Sequence, residues 1–279
     1  MKTRYFTQLP QPYWTYPKIA LGVLKNKQIT NPSLPKIDYV VEPFYIQPSH
    51  LQRYNQICDF KNTGYIPAIY FLMLSQRLQM YMMTQEDFIF PVLGLVHLSN
   101  QVTQYQYLPA NLQYRLSCCF GEIRTRPNGY EIEFITKVDL DKKTVVRGVS
   151  TYFYRQKTNM GEFSEPLERI DQLKLRKTWN LEESIGRRYA LISGDFNFIH
   201  LHALSAKIFG FKQAIAHGMW SKAKVLAELN LPEKYDAYVE FKAPMLLPSS
   251  VQLNLVEDEN NIHLSVVGNK THMLGRIRI

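Results

Sequence analysis

Residues 67–83 read Pro67-Ala68-Ile69-Tyr70-Phe71-Leu72-Met73-Leu74-Ser75-Gln76-Arg77-Leu78-Gln79-Met80-Tyr81-Met82-Met83. Wound at about 100° per residue, the stretch carries apolar side chains on nearly every helical face. A helix of that kind is buried all round. Pro67 suits the first helical position, where a missing N–H costs nothing. Met73, Met80, Met82 and Met83 read as core packing rather than as a ligand set. Four strand-like stretches follow, at residues 92–107, 112–124, 130–139 and 144–155. Arg126-Pro127-Asn128-Gly129 separates two of them as a hairpin turn.

The second half of the chain repeats the arrangement. A helix is expected from Met219 to about Leu229, preceded by Gly218 and ended by Asn230-Leu231-Pro232. Strands are expected at residues 237–243, 250–258, 262–267 and 272–279. Two short matches recur in the same order. Leu108-Pro109-Ala110-Asn111-Leu112-Gln113 resembles Leu247-Pro248-Ser249-Ser250-Val251-Gln252, and Lys143-Thr144-Val145-Val146-Arg147-Gly148 resembles Lys270-Thr271-His272-Met273-Leu274-Gly275. Together they point to an internal duplication. The unit is α+β: one buried helix, then an antiparallel run of strands that wraps it. Residues 156–168, with Asn159, Gly161, Ser164 and Pro166, read as the linker. The expected division is residues 1–160 and residues 169–279.

Composition bounds the function classes. With 279 residues, 46% hydrophobic and 20% charged, the chain is globular and can bury a sizeable core. A net charge of +9 favours anionic partners, and a merely basic, soluble surface explains it as well. Tyr105 and Tyr107 with scattered arginines make no RNA-binding motif, so nucleic acid is not expected. Cys58, Cys118 and Cys119 form no disulfide framework, which fits a reducing cytoplasm. Residues 1–14 hold no signal-peptide core, and the most apolar run, residues 66–74, is too short to span a membrane.

Chemistry-bearing residues concentrate at residues 189–219. Asp195 and His200 stand five residues apart beside Asn197. On one straight helix they would diverge by about 140°. Gly194, Asp195 and Asn197 instead form turns. The expectation is a helix at residues 181–193, a turn at 194–199 and a short helix at 201–209. Such a turn can aim carboxylate and imidazole at one water for acid–base work. Asp195 and Asn197 also read as plain helix caps, with His200 an ordinary polar residue near a helix start. Gly218, at the start of the next helix, allows close backbone approach, and the free N–H groups there suit developing negative charge. Tight packing explains that glycine equally well. His200, His202, His217 and Asp195 raise the question of a metal. His200 and His202 would diverge by about 160° on a helix, no further ligand lies nearby in sequence, and no metal is expected. Arg187, Arg188, Lys207, Lys212, Lys222 and Lys224 flank this region as phosphate-binding candidates or as solvated helix faces.

Residues 189–219 resemble the signature of the MaoC-like dehydratases, the hydratase 2 family. Ser193, Gly194, Asp195, Asn197, Ile199, His200, Gly210, Phe211, Ile215, His217, Gly218 and Met219 match it in order. The resemblance implies a tandem hotdog fold with chemistry in one half and acyl-chain room in the other. The first half carries neither motif and would be the non-catalytic repeat. Carried over, Asp195 and His200 are the acid–base pair, Asn197 orders the turn, and the Gly218 N–H holds the thioester oxygen. His217, Met219 and Phe198 would bind substrate. Phe198 stands where the family usually has Pro, which relaxes the turn and puts a bulky ring near the entrance. The implied activity is (R)-specific hydration of trans-2-enoyl thioesters, or the reverse dehydration, without metal or redox cofactor. The carrier is CoA or acyl carrier protein, the location cytoplasmic, and a homodimer is compatible. A catalytically silent acyl-thioester binder and a hotdog thioesterase are the alternatives on the same fold.

Overall fold

A computed structural model describes residues 2–11, 28–158, 160–163, 165, 167 and 172–279. Parts of the expected N-terminal segment (residues 1 and 12–14) and linker (Asn159, Ser164, Pro166, Glu168) lie outside these residues. The first unit contains β1 (Lys2–Phe6), β2 (Ile37–Tyr45), α1 (Pro48–Cys58), α2 (Ala68–Met83), β3 (Leu95–Gln104), β4 (Gln113–Arg126), β5 (Gly129–Leu140) and β6 (Lys143–Arg155). The second contains β7 (Lys174–Leu181), α3 (Ile185–Ser193), a 3₁₀ turn (Phe198–His200), α4 (Ala203–Lys207), α5 (Gly218–Ala227), β8 (Tyr235–Phe241), β9 (Ser249–Glu257), β10 (Asn261–Val267) and β11 (Thr271–Arg278). The strands form one sheet in the order β1-β2-β4-β5-β6-β3-β8-β11-β10-β9-β7. Apart from β1, which is parallel to β2, every pair is antiparallel.

The order is a mirror: β2-β4-β5-β6-β3 meets β8-β11-β10-β9-β7 at the β3–β8 pair. The match of residues 143–148 with 270–275 falls in corresponding places. Gly148 faces Val102 across β6–β3, and Gly275 faces Val239 across β11–β8. Val102 pairs with Ala237 and Val239 with Asn100, so the seam is two-fold about the Gln101–Tyr238 pair. The other match is offset by two residues: Pro109 bridges to Tyr65 just before α2, whereas Leu246, two residues ahead of Pro248, bridges to Ile215 just before α5.

Each unit's central helix is buried on all sides, as an apolar stripe of full circumference requires. Twelve residues of α2 are buried, and it packs on β3, β4 and β5. Pro67 is the N-cap rather than the first helical residue, with an extended backbone (ψ 129°). The expected helix at residues 181–193 is corrected. Leu181 ends strand β7, and the helix begins at Ile185. Strand β7, Lys-Leu-Arg-Lys-Thr-Trp-Asn-Leu, is an edge strand with Trp179 and Leu181 alone buried. Basic residues protect such an edge but erase the alternation that would reveal it. The expected helix at 201–209 contracts to residues 203–207 after the 3₁₀ turn.

Two of the expected phosphate-binding candidates are corrected as well. Lys222 is 0% exposed. Its ammonium donates to the Asn100 carbonyl (2.9 Å), Asn100 Oδ1 (2.7 Å) and the Ala237 carbonyl (2.9 Å). Burial pulls its pKa well below the usual lysine value, while three oxygens match the ammonium's three protons. Lys224 is buried too and pairs with Asp59 in the first unit. Both cations pin α5 to the other unit instead of facing solvent. Replacing Lys222 by Met strands three buried acceptors. The expected loss in urea denaturation is about 3 kcal/mol of stability with an unchanged m-value; an unaltered midpoint would contradict this role.

Candidate active site

Helix α3 ends in Gly194, whose left-handed conformation (φ 81°) closes the helix through Gly194 N–H to the Ala190 carbonyl (2.8 Å). Two side chains then brace the turn from within. The Asn197 N–H donates to Asp195 Oδ1 (3.2 Å), and the Ile199 N–H donates to Asn197 Oδ1 (3.4 Å). Asp195 and Asn197 therefore do act as caps, and the capping bends the chain so that His200 folds back toward Asp195. The capping reading holds, and the same turn brings the Asp195 and His200 side chains together.

His200 is held from the far side. Its Nδ1 lies 2.8 Å from the Ile215 carbonyl, while the Ile215 N–H donates to the Ile199 carbonyl (2.9 Å). A carbonyl only accepts, so Nδ1 carries the proton and Nε2 presents a lone pair in the neutral ring. Burial lowers the His200 pKa, with Asp195 opposing the shift. The imidazole is accordingly neutral near pH 7, ready to accept a proton.

His217, expected as a substrate contact, also braces the pair. It stacks on His200 with ring centroids 3.7 Å apart and 24° between planes. Its Nε2 donates to the Asp195 backbone carbonyl (3.1 Å), and its Nδ1 has no partner among the described residues. Burial and the neighbouring His200 push its pKa down to about 3. A neutral His217 thus ties Asp195 to His200. Ligand atoms of Asp195, His200 and His217 lie within 4.8 Å of one another, close enough to raise the metal question again. Two of the four ring nitrogens are already committed, His200 Nδ1 to the Ile215 carbonyl and His217 Nε2 to the Asp195 carbonyl.

A cavity of about 430 Å³ opens over this cluster. Asp195, Asn197, His200, His217, Gly218 and Met219 all line it. Gly218 begins α5 behind an extended His217, so its N–H has no intrahelical acceptor. A Cβ there would sit 2.9 Å from the Phe241 ring, which explains why glycine occupies the position. Phe198 does not line the cavity. It is 58% exposed, because the 3₁₀ turn directs it outward while burying His200. The expected narrowing of the entrance by Phe198 has no counterpart in this geometry.

Sequence reasoning missed the contribution of the first unit. Gln76 of α2, His97 of β3 and Tyr152 of β6 line the same cavity. His97 stacks on Tyr152 (4.5 Å, 14°) and burial pushes its pKa down to about 3, keeping it neutral. No motif flags these residues; only the pairing of the two units brings them in. Gly186 was missed too. Its missing Cβ would meet the His200 carbonyl oxygen at 2.0 Å, so α3 can lie against the turn holding His200 only with glycine here.

Comparison with known proteins bears on this arrangement. Residues 165–271 match the family model described as "MaoC like domain". The second unit thus carries a MaoC-like domain. It is 28% identical over 253 residues to 3-hydroxyacyl-thioester dehydratase X of Mycobacterium tuberculosis, covering 89% of this chain and 90% of that protein. The crystal structure of HtdX from the same organism superposes with a TM-score of 0.76 at 25% identity, over 86% of this chain and 99% of that one. A MaoC-like dehydratase from Phytophthora capsici, 16% identical, shares the fold with a TM-score of 0.67 over 86% and 94% of the two chains. The fold is the tandem hotdog expected from the sequence, and the MaoC-like domain with the named dehydratase relative supports hydro-lyase chemistry. No helix among the described residues is long and apolar enough to cross a membrane. For Gly186→Ala, hydro-lyase turnover should fall by about 100-fold through displacement of the His200 backbone, with an unchanged circular dichroism spectrum; wild-type turnover would contradict this packing.

Proposed function

We propose that the protein hydrates trans-2-enoyl thioesters to (R)-3-hydroxyacyl thioesters, and catalyses the reverse dehydration, with Asp195 and His200 as its acid–base pair. The observation that carries this reading is the buried, neutral His200, its Nδ1 committed to the Ile215 carbonyl and a ligand atom within 4.8 Å of Asp195. One water oxygen spans such a gap with two hydrogen bonds of about 2.7 Å.

In hydration, the His200 Nε2 lone pair takes a proton from that water as its oxygen bonds to C3. The C2–C3 π electrons move into the thioester as an enolate, whose oxygen accepts from the Gly218 N–H at the start of α5. Asp195 holds the water and steadies the imidazolium that forms. The imidazolium then returns its proton to C2, leaving the enzyme as it began. The sum is one water added, and no step needs a metal or redox cofactor. Asn197 orders the turn, and Met219 lies against the acyl chain with Leu95, Phe211 and Phe241. The net charge of +9 suits either CoA or acyl carrier protein, since both are anionic. The named activity of the Mycobacterium tuberculosis relative supports the same substrate class.

The test is hydration of crotonyl-CoA and longer enoyl thioesters, with chiral analysis of the product. Asp195→Asn and His200→Gln should each lower kcat by about 1,000-fold. Undiminished turnover in either variant would overturn the assigned roles, and thiol release without hydration would assign thioesterase chemistry. The pH profile makes a separate demand. Because burial lowers the His200 pKa, the neutral base persists into acid. The acid limb of kcat/KM should therefore lie below the ordinary histidine value of about 6.5; a limb at or above it would contradict the neutral-base assignment.

A further inference from the structure

The last turn of α3 stands immediately before Asp195, and the first unit grips it. Arg77 of α2 donates from Nε to the Ser193 carbonyl (3.2 Å) and from a terminal nitrogen to the Ile192 carbonyl (3.2 Å). His50 of α1 joins it, with Nε2 2.9 Å from the same Ile192 carbonyl. Because that oxygen only accepts, His50 donates from Nε2 and its Nδ1 accepts from the buried Tyr70 hydroxyl (2.8 Å). Three N–H groups from one unit thus close the two final carbonyls of a helix in the other. A cation at a helix C-terminus also complements the helix dipole. Among the described residues, no carboxylate pairs with Arg77, so these carbonyls are its polar partners.

The two-fold relation of the units supplies a comparison within the molecule. Helix α1 corresponds to α3, and its penultimate carbonyl, Ile57, receives a single donor from α5, Trp220 Nε1 (2.9 Å). The catalytic side of the same device carries three donors, two of them from a guanidinium that fixes direction as well as distance. The reinforcement falls where the chain enters the turn holding Asp195, whose N–H donates to Ser193 Oγ (3.1 Å).

We propose that Arg77, seconded by His50, is a positioning residue of the active site: it holds the end of α3 so that the turn at residues 194–197 presents Asp195 to His200. The first unit is then part of the catalytic apparatus and more than a wall for the acyl chain. This rests on the roles of Asp195 and His200 proposed above.

The experiment uses the full chain with Arg77→Ala and Arg77→Lys. For Arg77→Ala, kcat falls by about 50-fold while KM stays within about threefold. Added guanidinium at millimolar concentration restores at least about fivefold of the loss, whereas equal urea restores none. Arg77→Lys, which keeps the charge but loses the fork, falls in between. Amide hydrogen exchange of the same variants speeds at residues 194–199 and stays unchanged in β10 and β11. That second readout needs no turnover, so it tests the clamp even if the wild type hydrates no enoyl thioester and the functional reading fails. Wild-type kcat in Arg77→Ala, a loss that guanidinium cannot restore, or unchanged exchange at 194–199 would each overturn the proposal. If Arg77→Ala fails to fold, wild-type kcat and exchange in Arg77→Lys overturn it.

Discussion

The hydrogen bond from His200 Nδ1 to the Ile215 carbonyl is the constraint on which the site depends. It sets the tautomer, and with it the role: a ring that donates at Nδ1 can only accept at Nε2. It also joins two segments fifteen residues apart, with Ile215 and Ile199 exchanging a backbone bond alongside. The Ile215 segment is itself anchored, because Ala216 donates to Met245 and Leu247 donates to Ala214 (both 2.8 Å). The His200 imidazole is thus referenced to the sheet through backbone, which moves little. His217 continues the chain of constraint, stacking on His200 and bonding to the Asp195 backbone. Desolvation keeps both rings neutral, so they stack without charge repulsion.

The duplication gives this cluster its setting. One continuous sheet, joined at β3–β8, puts the two central helices on a shared seam. The cavity draws Gln76, His97 and Tyr152 from one unit and Asp195, His200 and His217 from the other. Buried cations hold the seam: Lys222 reaches Asn100, and Lys224 reaches Asp59. Burying these cations carries a desolvation cost, and removing one partner leaves the rest uncompensated. Both contacts run from α5 to the first unit.

Much of this was legible from the residues. The all-round apolar run at residues 67–83 announced a buried helix, and the two short repeats announced two units. The Asp195 to His200 spacing was legible as a turn because Gly194 and Asn197 leave no room for a straight helix. What escaped detection has a physical cause in each case. Strand β7 lacks alternation because it lies at an edge. Lys222 and Lys224 looked like solvated charge, since a sequence cannot show three oxygens from distant strands converging on one ammonium. His217 looked like a substrate contact, and its stacking on His200 exists only in three dimensions. Phe198 looked like a gate, yet the turn that buries His200 turns it outward. Gly186 carries no motif at all; its meaning appears only when the His200 carbonyl is found where its Cβ would be.

The account stands most directly on the protonation of one ring. Nitrogen-15 NMR of the histidine-labelled protein at neutral pH, with His200→Gln to assign the signals, reads the tautomer of His200 without recourse to turnover. The account predicts a neutral imidazole with its proton on Nδ1 and a bare Nε2, persisting below the pH at which an ordinary histidine becomes charged. A proton on Nε2 in the neutral ring, or an imidazolium at neutral pH, would contradict it.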